Sequence, residues 1–219
     1  MIKELFFHPK LCLNCHEEWI SKYHLCTECL EKLEIIRGRN RILSETDCVF
    51  PFYYGGEIKD LLIRFKFRKE SYLYPIFSEI LYDYIKEYKY FWDEIITVPY
   101  SKKKIRHRGY EPVNLVGKEL SKKLKLKYSN ACRKIKDTED QHLLKAEERM
   151  DNLESAFSCN DSVKNKRILL VDDIMTSGAT LKELSNTVMD AGALSVDCLV
   201  IASEKREEKG FWSRYDKNK

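Results

Sequence analysis

The chain has 219 residues, 43% of them apolar, with 39 basic and 35 acidic side chains and a formal charge of +4. This length suits one α/β domain with a small accessory module, and the apolar fraction excludes wholesale disorder. The near-balance of charge does not by itself mark a nucleic-acid binder, and no apolar run approaches the roughly 20 residues of a membrane span.

The N-terminus, Met1 to Pro9, lacks the apolar stretch and small-residue cleavage site of a signal peptide, so a soluble, cytoplasmic protein is expected. Four of the eight cysteines follow at once, as Cys12-x-x-Cys15 and Cys26-x-x-Cys29, separated by ten residues. Such paired spacing places four thiolates around one zinc ion at about 2.3 Å. A site of that kind is closed and structural, and so short a segment would need the metal to fold. Two redox pairs or plain buried thiols are the alternatives, and His16 or His24 could replace one thiolate. Cys48, Cys132, Cys159 and Cys198 are scattered and read as thiols with no shared task. The module is taken to residue 45, and a second domain from 46 to 219.

A basic stretch, Arg37 to Arg41, follows the cysteines. Cys48 to Tyr54 reads as a strand closed by Gly55-Gly56. Ile58, Leu61, Leu62 and Phe65 repeat at helical spacing over 57–66, and Ile76, Phe77, Ile80, Leu81, Tyr84, Ile85 and Tyr88 do so over 72–90. Glu94 to Pro99 reads as a short strand and Val113 to Leu124 as a helix. Arg167 to Val171 is a continuous apolar run of buried-strand type. Ala179 to Ala191 reads as a helix stopped by Gly192, and Ser195 to Ile201 as another buried strand. Strands alternating with helices predict a mainly parallel sheet with crossover helices. The charged tail, Glu204 to Lys219, is expected on the surface.

Candidate site chemistry concentrates where the strand 167–171 gives way to a helix. Asp172 and Asp173 are followed by Thr176, Ser177, Gly178, Ala179 and Thr180. In open α/β sheets ligands sit beyond the carboxyl ends of strands. A small-residue turn entering a helix aims several N–H groups at one point, where the helix dipole favours an anion. Gly178 permits close backbone approach, and the hydroxyls can donate. Two carboxylates would repel a phosphate, so they are expected to face ribose hydroxyls or water on magnesium. The alternative is a helix cap, since Asp173, Thr176 and Ser177 all cap well. Walker and Rossmann signatures are missing.

The segment Val171 to Thr180 resembles the phosphoribosyl-pyrophosphate motif of type I phosphoribosyltransferases. That resemblance implies the fold of those enzymes, with Asp172 and Asp173 on the ribose and Thr176 to Thr180 on its 5-phosphate. It also implies magnesium with the pyrophosphate. Val98-Pro99, with Arg106, Arg108, Gly109 and Tyr110 downstream, is similar to the pattern of the ComF competence proteins. Arg133, Thr138, Gln141, Leu144, Arg149, Asn152, Ala156 and Phe157 match that family's next block. Ala191-Gly192-Ala193 and the N-terminal zinc ribbon match as well. Where the family carries Asn and Gln, this chain has Glu111 and Pro112, which brings a carboxylate beside the implied pyrophosphate site.

The run Lys102, Lys103, Lys104, Arg106, His107, Arg108 suits a pyrophosphate or a nucleic-acid backbone, or else a solvated loop. Tyr100, Ser101, Arg106, Arg108, Gly109 and Tyr110 are the candidates for that loop. Arg37, Arg39 and Arg41, with Tyr53, Tyr54, Arg64, Lys66, Arg68 and Lys69, add the charges and rings that single-stranded DNA uses, although the tyrosines are expected in the core. Two functions stay open. One is a phosphoribosyltransferase with magnesium and an unnamed acceptor. The other, implied by the ComF resemblance, is a sugar-phosphate-binding protein of DNA uptake that contacts single-stranded DNA and a partner helicase.

Overall fold

The computed structural model describes residues 11–88, 91–101, 105–106, 109–135 and 156–204. Its centre is a seven-stranded sheet. The strands are β1 (Gly38–Leu43), β2 (Thr46–Phe50), β3 (Phe52–Tyr53), β4 (Glu94–Thr97), β5 (Lys127–Ser129), β8 (Arg167–Met175) and β9 (Ser195–Ser203). A separate antiparallel pair joins β6 (Cys132–Lys134) to β7 (Phe157–Cys159). The helices are α1 (Thr27–Glu31), α2 (Gly56–Phe67), α3 (Tyr74–Ile85), α4 (Pro112–Leu124) and α5 (Ala179–Asp190).

The order across the sheet is β1-β2-β9-β8-β4-β5, with β3 also on β9. Every pairing but β1–β2 is parallel. Side-chain alternation explains the layers. Leu169 and Val171 of β8 pack with Leu199 and Ile201 of β9 on one face, under α2, α3 and α4. Ile168 and Leu170 point to the other face with Val196, Cys198 and Val200, under α5 and the β6–β7 pair. A strand covered on both faces must be apolar throughout, which is why Arg167 to Val171 shows no alternation in sequence. The mainly parallel sheet flanked by helices is thus the type I phosphoribosyltransferase-like arrangement expected.

Five local expectations change. Strand β8 runs on to Met175, because Asp172, Ile174 and Met175 still pair with Val200, Ala202 and Ser203; the two acids therefore lie inside the strand, not after it. The strand expected over 48–54 divides at Pro51, which has no N–H to give a ladder. The helix expected over 72–90 begins with a 3-10 turn, Ser71–Leu73, and ends at Ile85. The basic stretch 37–41 is largely the edge strand β1. Its Arg39 and Arg41 both bind the buried carboxylate of Asp47 on β2, the latter through Nε at 2.6 Å. Two of that stretch's three arginines are thus engaged in the fold, and Tyr53, expected in the core, is 38% exposed.

The β1–β2 hairpin spans residue 45, the boundary expected between module and domain. Cys12, Leu25, Cys26, Cys29 and Leu33 share one apolar cluster with Ile58, Leu61, Leu62 and Phe65 of α2. Among the described residues no helix is long and apolar enough to cross a membrane.

Candidate functional site

The carboxyl ends of β4 and β8 lie side by side, with Val98 N–H donating to the Val171 carbonyl at 2.9 Å. This adjacency brings two stretches 70 residues apart to one edge: the loop after Val98-Pro99 and the turn from Thr176 to Thr180. Asp173 joins them. Its Oδ2 accepts the Tyr100 hydroxyl at 2.6 Å, and its Oδ1 accepts Lys66 Nζ at 2.9 Å from the end of α2. Asp173 is 5% exposed, yet both of its oxygens meet donors, one of them a cation. A carboxylate so placed still has lone pairs left for further hydroxyls.

Asp172 is a different group. Its Oδ1 accepts the backbone N–H of Asp173 at 2.8 Å. Burial, and then the neighbouring Asp173 carboxylate, push its own carboxyl up to about 8. At neutral pH it is chiefly a neutral acid. The pair read in sequence as equivalent thus divides into one member bonded to a cation and one whose carboxyl is raised by burial.

An acid whose pKa rises on folding costs stability above its unfolded value, near 3.9, and that cost grows as pH climbs toward 8. Asp172→Asn removes the titration. The variant's urea midpoint is therefore expected to gain on the wild type between pH 4.5 and pH 8.5. A difference that does not change with pH would assign Asp172 an ordinary carboxyl.

Gly178 ends the turn at φ +81°, in the left-handed region, and is the residue before the first turn of α5. That helix has no side-chain cap at Gly178. Ser177 Oγ takes the Ala179 N–H at 3.3 Å, while both oxygens of Asp173 are engaged elsewhere. Thr176, Ser177, Gly178, Ala179 and Thr180 are all half-buried, forming an open turn at the sheet edge.

On the opposite side, Ser101 is buried, Arg106 is exposed, and Gly109 takes φ +80°. Tyr110 donates its hydroxyl to the Phe65 carbonyl and packs on the Phe65 ring, so this loop is tied to the end of α2 that carries Lys66. Arg108, with Lys102, Lys103, Lys104 and His107, lies outside the described residues, as do Thr138, Gln141, Leu144, Arg149 and Asn152. Glu111, which replaces the family's Asn, precedes α4. Its Oε2 accepts Asn114 Nδ2, and Asn114 Oδ1 accepts the Thr97 hydroxyl. Burial raises the Glu111 carboxyl, against the pull of Lys118 and the Tyr100 N–H. The side chain is thus turned into its own loop. Gly117 lets α4 meet β4 closely, for a Cβ there would collide with Thr97.

In sequence Lys66 is only one base among several near the cysteine module. Nothing local could have marked it, since its partner lies 107 residues away.

The second cluster is built from Cys12, Cys15, Cys26 and Cys29, whose sulfurs all lie within 4.8 Å of one another. Cys12, Cys26 and Cys29 are buried and Cys15 is half-buried. The backbone N–H groups of Asn14 and Cys29 point at the sulfurs of Cys12 and Cys26, each at 3.4 Å, and Asn14 Nδ2 points at Cys29 at 3.4 Å. Donors converging on thiolates are what a sulfur-ligated cation requires. The four cysteines could hold a metal such as zinc. His16 and His24 turn elsewhere, to the Tyr72 hydroxyl and to Glu79 Oε1, each at 3.3 Å.

The phosphoribosyl transferase domain family matches residues 78–219. Competence protein F of Haemophilus influenzae is 28% identical over 196 residues, covering 83% of this chain and 85% of that protein. The DNA utilization protein YhgH of Escherichia coli K12 is 26% identical over 192 residues, covering 85% and 81%. Among solved structures, a Staphylococcus aureus hypoxanthine phosphoribosyltransferase is 14% identical, with a TM-score of 0.40 over 67% of this chain and 72% of its own.

Proposed function

From the membership of this chain in the phosphoribosyl transferase domain family, and within it in the ComF competence and DNA-utilization proteins, we propose that it binds phosphoribosyl pyrophosphate or a related sugar phosphate in the service of DNA uptake. The observation that carries this reading is Asp173, a buried carboxylate bonded to Lys66 and Tyr100 near the carboxyl end of β8, beside an open hydroxyl-rich turn. In this reading Asp173 accepts the ribose hydroxyls, with Asp172 supporting it from beneath. Thr176, Ser177, Gly178, Ala179 and Thr180 hold the 5-phosphate. Tyr100, Ser101, Arg106, Arg108, Gly109 and Tyr110 form the loop toward the pyrophosphate, which magnesium accompanies, or toward a nucleic-acid backbone. Residues 1–45 are a zinc-ribbon module set on the domain formed by 46–219, with zinc on Cys12, Cys15, Cys26 and Cys29. Single-stranded DNA and a DNA-uptake helicase are the partners, and the cytoplasm is the compartment.

Calorimetric titration with phosphoribosyl pyrophosphate and magnesium tests the ligand. Saturable binding at one site per chain is expected; no heat and no competition with ribose 5-phosphate would remove the reading. The second function, an active phosphoribosyltransferase, is separated by pyrophosphate release. Release that depends on an added acceptor would favour the enzyme, and salt-dependent DNA binding without turnover would favour the binding protein.

The basic loop has its own test. Arg106→Ala with Arg108→Ala is expected to weaken phosphoribosyl pyrophosphate or DNA binding, while changing stability by no more than about 0.5 kcal/mol. Unchanged affinity for both ligands would leave the loop as a solvated surface.

A further inference from the structure

Cys132 and Cys159, which the sequence presented as unrelated thiols, stand opposite each other on β6 and β7. The flanking backbone bonds define how they face. Asn160 N–H donates to the Ala131 carbonyl at 3.1 Å and Ile135 N–H to the Ala156 carbonyl at 2.8 Å. Hydrogen-bonded and non-hydrogen-bonded pairs alternate along an antiparallel ladder. Ala131 with Asn160 and Ile135 with Ala156 are hydrogen-bonded, so Cys132 with Cys159 is a non-hydrogen-bonded pair. In such pairs the Cα atoms approach to about 4.5 Å and the side chains lie on one face. That separation falls inside the window a disulfide spans without backbone movement. The two sulfurs are 2.6 Å apart.

We propose that Cys132 and Cys159 are a modification site: a dithiol that a small-molecule disulfide such as oxidised glutathione converts reversibly into an internal disulfide. Two thiols lose two protons and two electrons, and one glutathione disulfide becomes two glutathione thiols. Cys159 is the half-buried member and attacks first, releasing one glutathione thiolate and leaving a mixed disulfide. Cys132, buried at 8% exposure, then attacks the Cys159 sulfur and expels the second glutathione. The two released thiolates take up the two protons. The environment orders the steps the same way. Contact with Cys159, and then burial, raise the Cys132 thiol, while the Cys132 S–H lowers that of Cys159.

The effect follows from position. The two residues are 27 apart in sequence, and Phe157 and Ala156 on the same hairpin pack against Leu181, Leu184 and Val188 of α5. The bond would clamp β6–β7 on the helix that begins at Gly178. Cys12, Cys15, Cys26 and Cys29 are reserved for metal in this picture. Cys48 and Cys198 are adjacent in register but wholly buried, beyond the reach of an oxidant.

The experiment equilibrates metal-loaded, full-length protein in glutathione buffers of increasing oxidised fraction, followed by alkylation and non-reducing peptide mapping. The expected product joins the Cys132 and Cys159 peptides, appears with loss of two hydrogens, and reverts with dithiothreitol. The oxidised wild type should melt about 5–10 °C higher. Cys132→Ser and Cys159→Ser should each abolish the gain, and Cys132→Ser should leave Cys159 as a stable glutathione adduct. Mapping of the wild type needs no variant to fold. If both thiols stay fully alkylatable at every ratio, or if cross-links form only among the four N-terminal cysteines, the proposal is overturned.

Discussion

Asp172→Asn with Asp173→Asn is expected to lower affinity for phosphoribosyl pyrophosphate by two to four decades while the fold persists. Each charge-assisted bond from a ribose hydroxyl to a carboxylate is worth about 1.5–3 kcal/mol, so losing the two that Asp173 would accept costs about 3–6 kcal/mol. The structure divides that effect unequally. Asp173 binds Lys66 and Tyr100, whereas burial and the neighbouring Asp173 push the Asp172 carboxyl up to about 8. Asp173→Asn alone should therefore produce most of the loss. Asp172→Asn replaces a neutral acid by a near-isostere and should change affinity less than tenfold. Calorimetry with magnesium on the three variants, with circular dichroism to check folding, makes the measurement. A double variant that binds as tightly as the wild type would show that these acids do not hold the sugar.

Loss of the sulfur cluster should have the largest effect on stability. One equivalent of zinc per chain is expected by elemental analysis of protein never exposed to chelator. Cys26→Ser should reduce it below about a tenth of an equivalent. Structural zinc contributes on the order of 10 kcal/mol to the folding of small modules at neutral pH. Here the loss would spread, because Cys12, Cys26, Cys29, Leu25 and Leu33 belong to the same core as α2 and α3. Asn14 links the two parts directly, giving Nδ2 to Glu57 at 2.8 Å and accepting Arg64 Nη1 at 2.5 Å. The variant, or protein treated with a strong chelator, should melt at least about 10 °C lower and expose Lys66 and the α2 end to proteolysis. Wild-type melting in a protein holding less than about half an equivalent of any metal would remove the structural role.

The division between sequence and tertiary structure runs along chain separation. Local pattern located α2, α4 and α5 to within a residue or two, because each buries one face at helical spacing and is stopped by a glycine or a left-handed residue such as Lys125. It located the core of β8 and β9, because strands covered on both faces must be apolar throughout. It located the cysteine cluster and the turn 176–180, because their chemistry lies within a few consecutive residues. It could not see β1, whose arginines look like a solvated surface until Asp47 on the next strand neutralises them. Nor could it show that Asp172 and Asp173 differ, since their identities are equal and only burial and partners separate them. Lys66 reached Asp173, and Cys132 reached Cys159, through the parallel order of the sheet and the register of one hairpin. Sequence determined which residues are chemically able to act. Long-range pairing decided which of them meet, because a contact between residues 27 or 107 positions apart depends on how the whole sheet closes and leaves no trace in any local window.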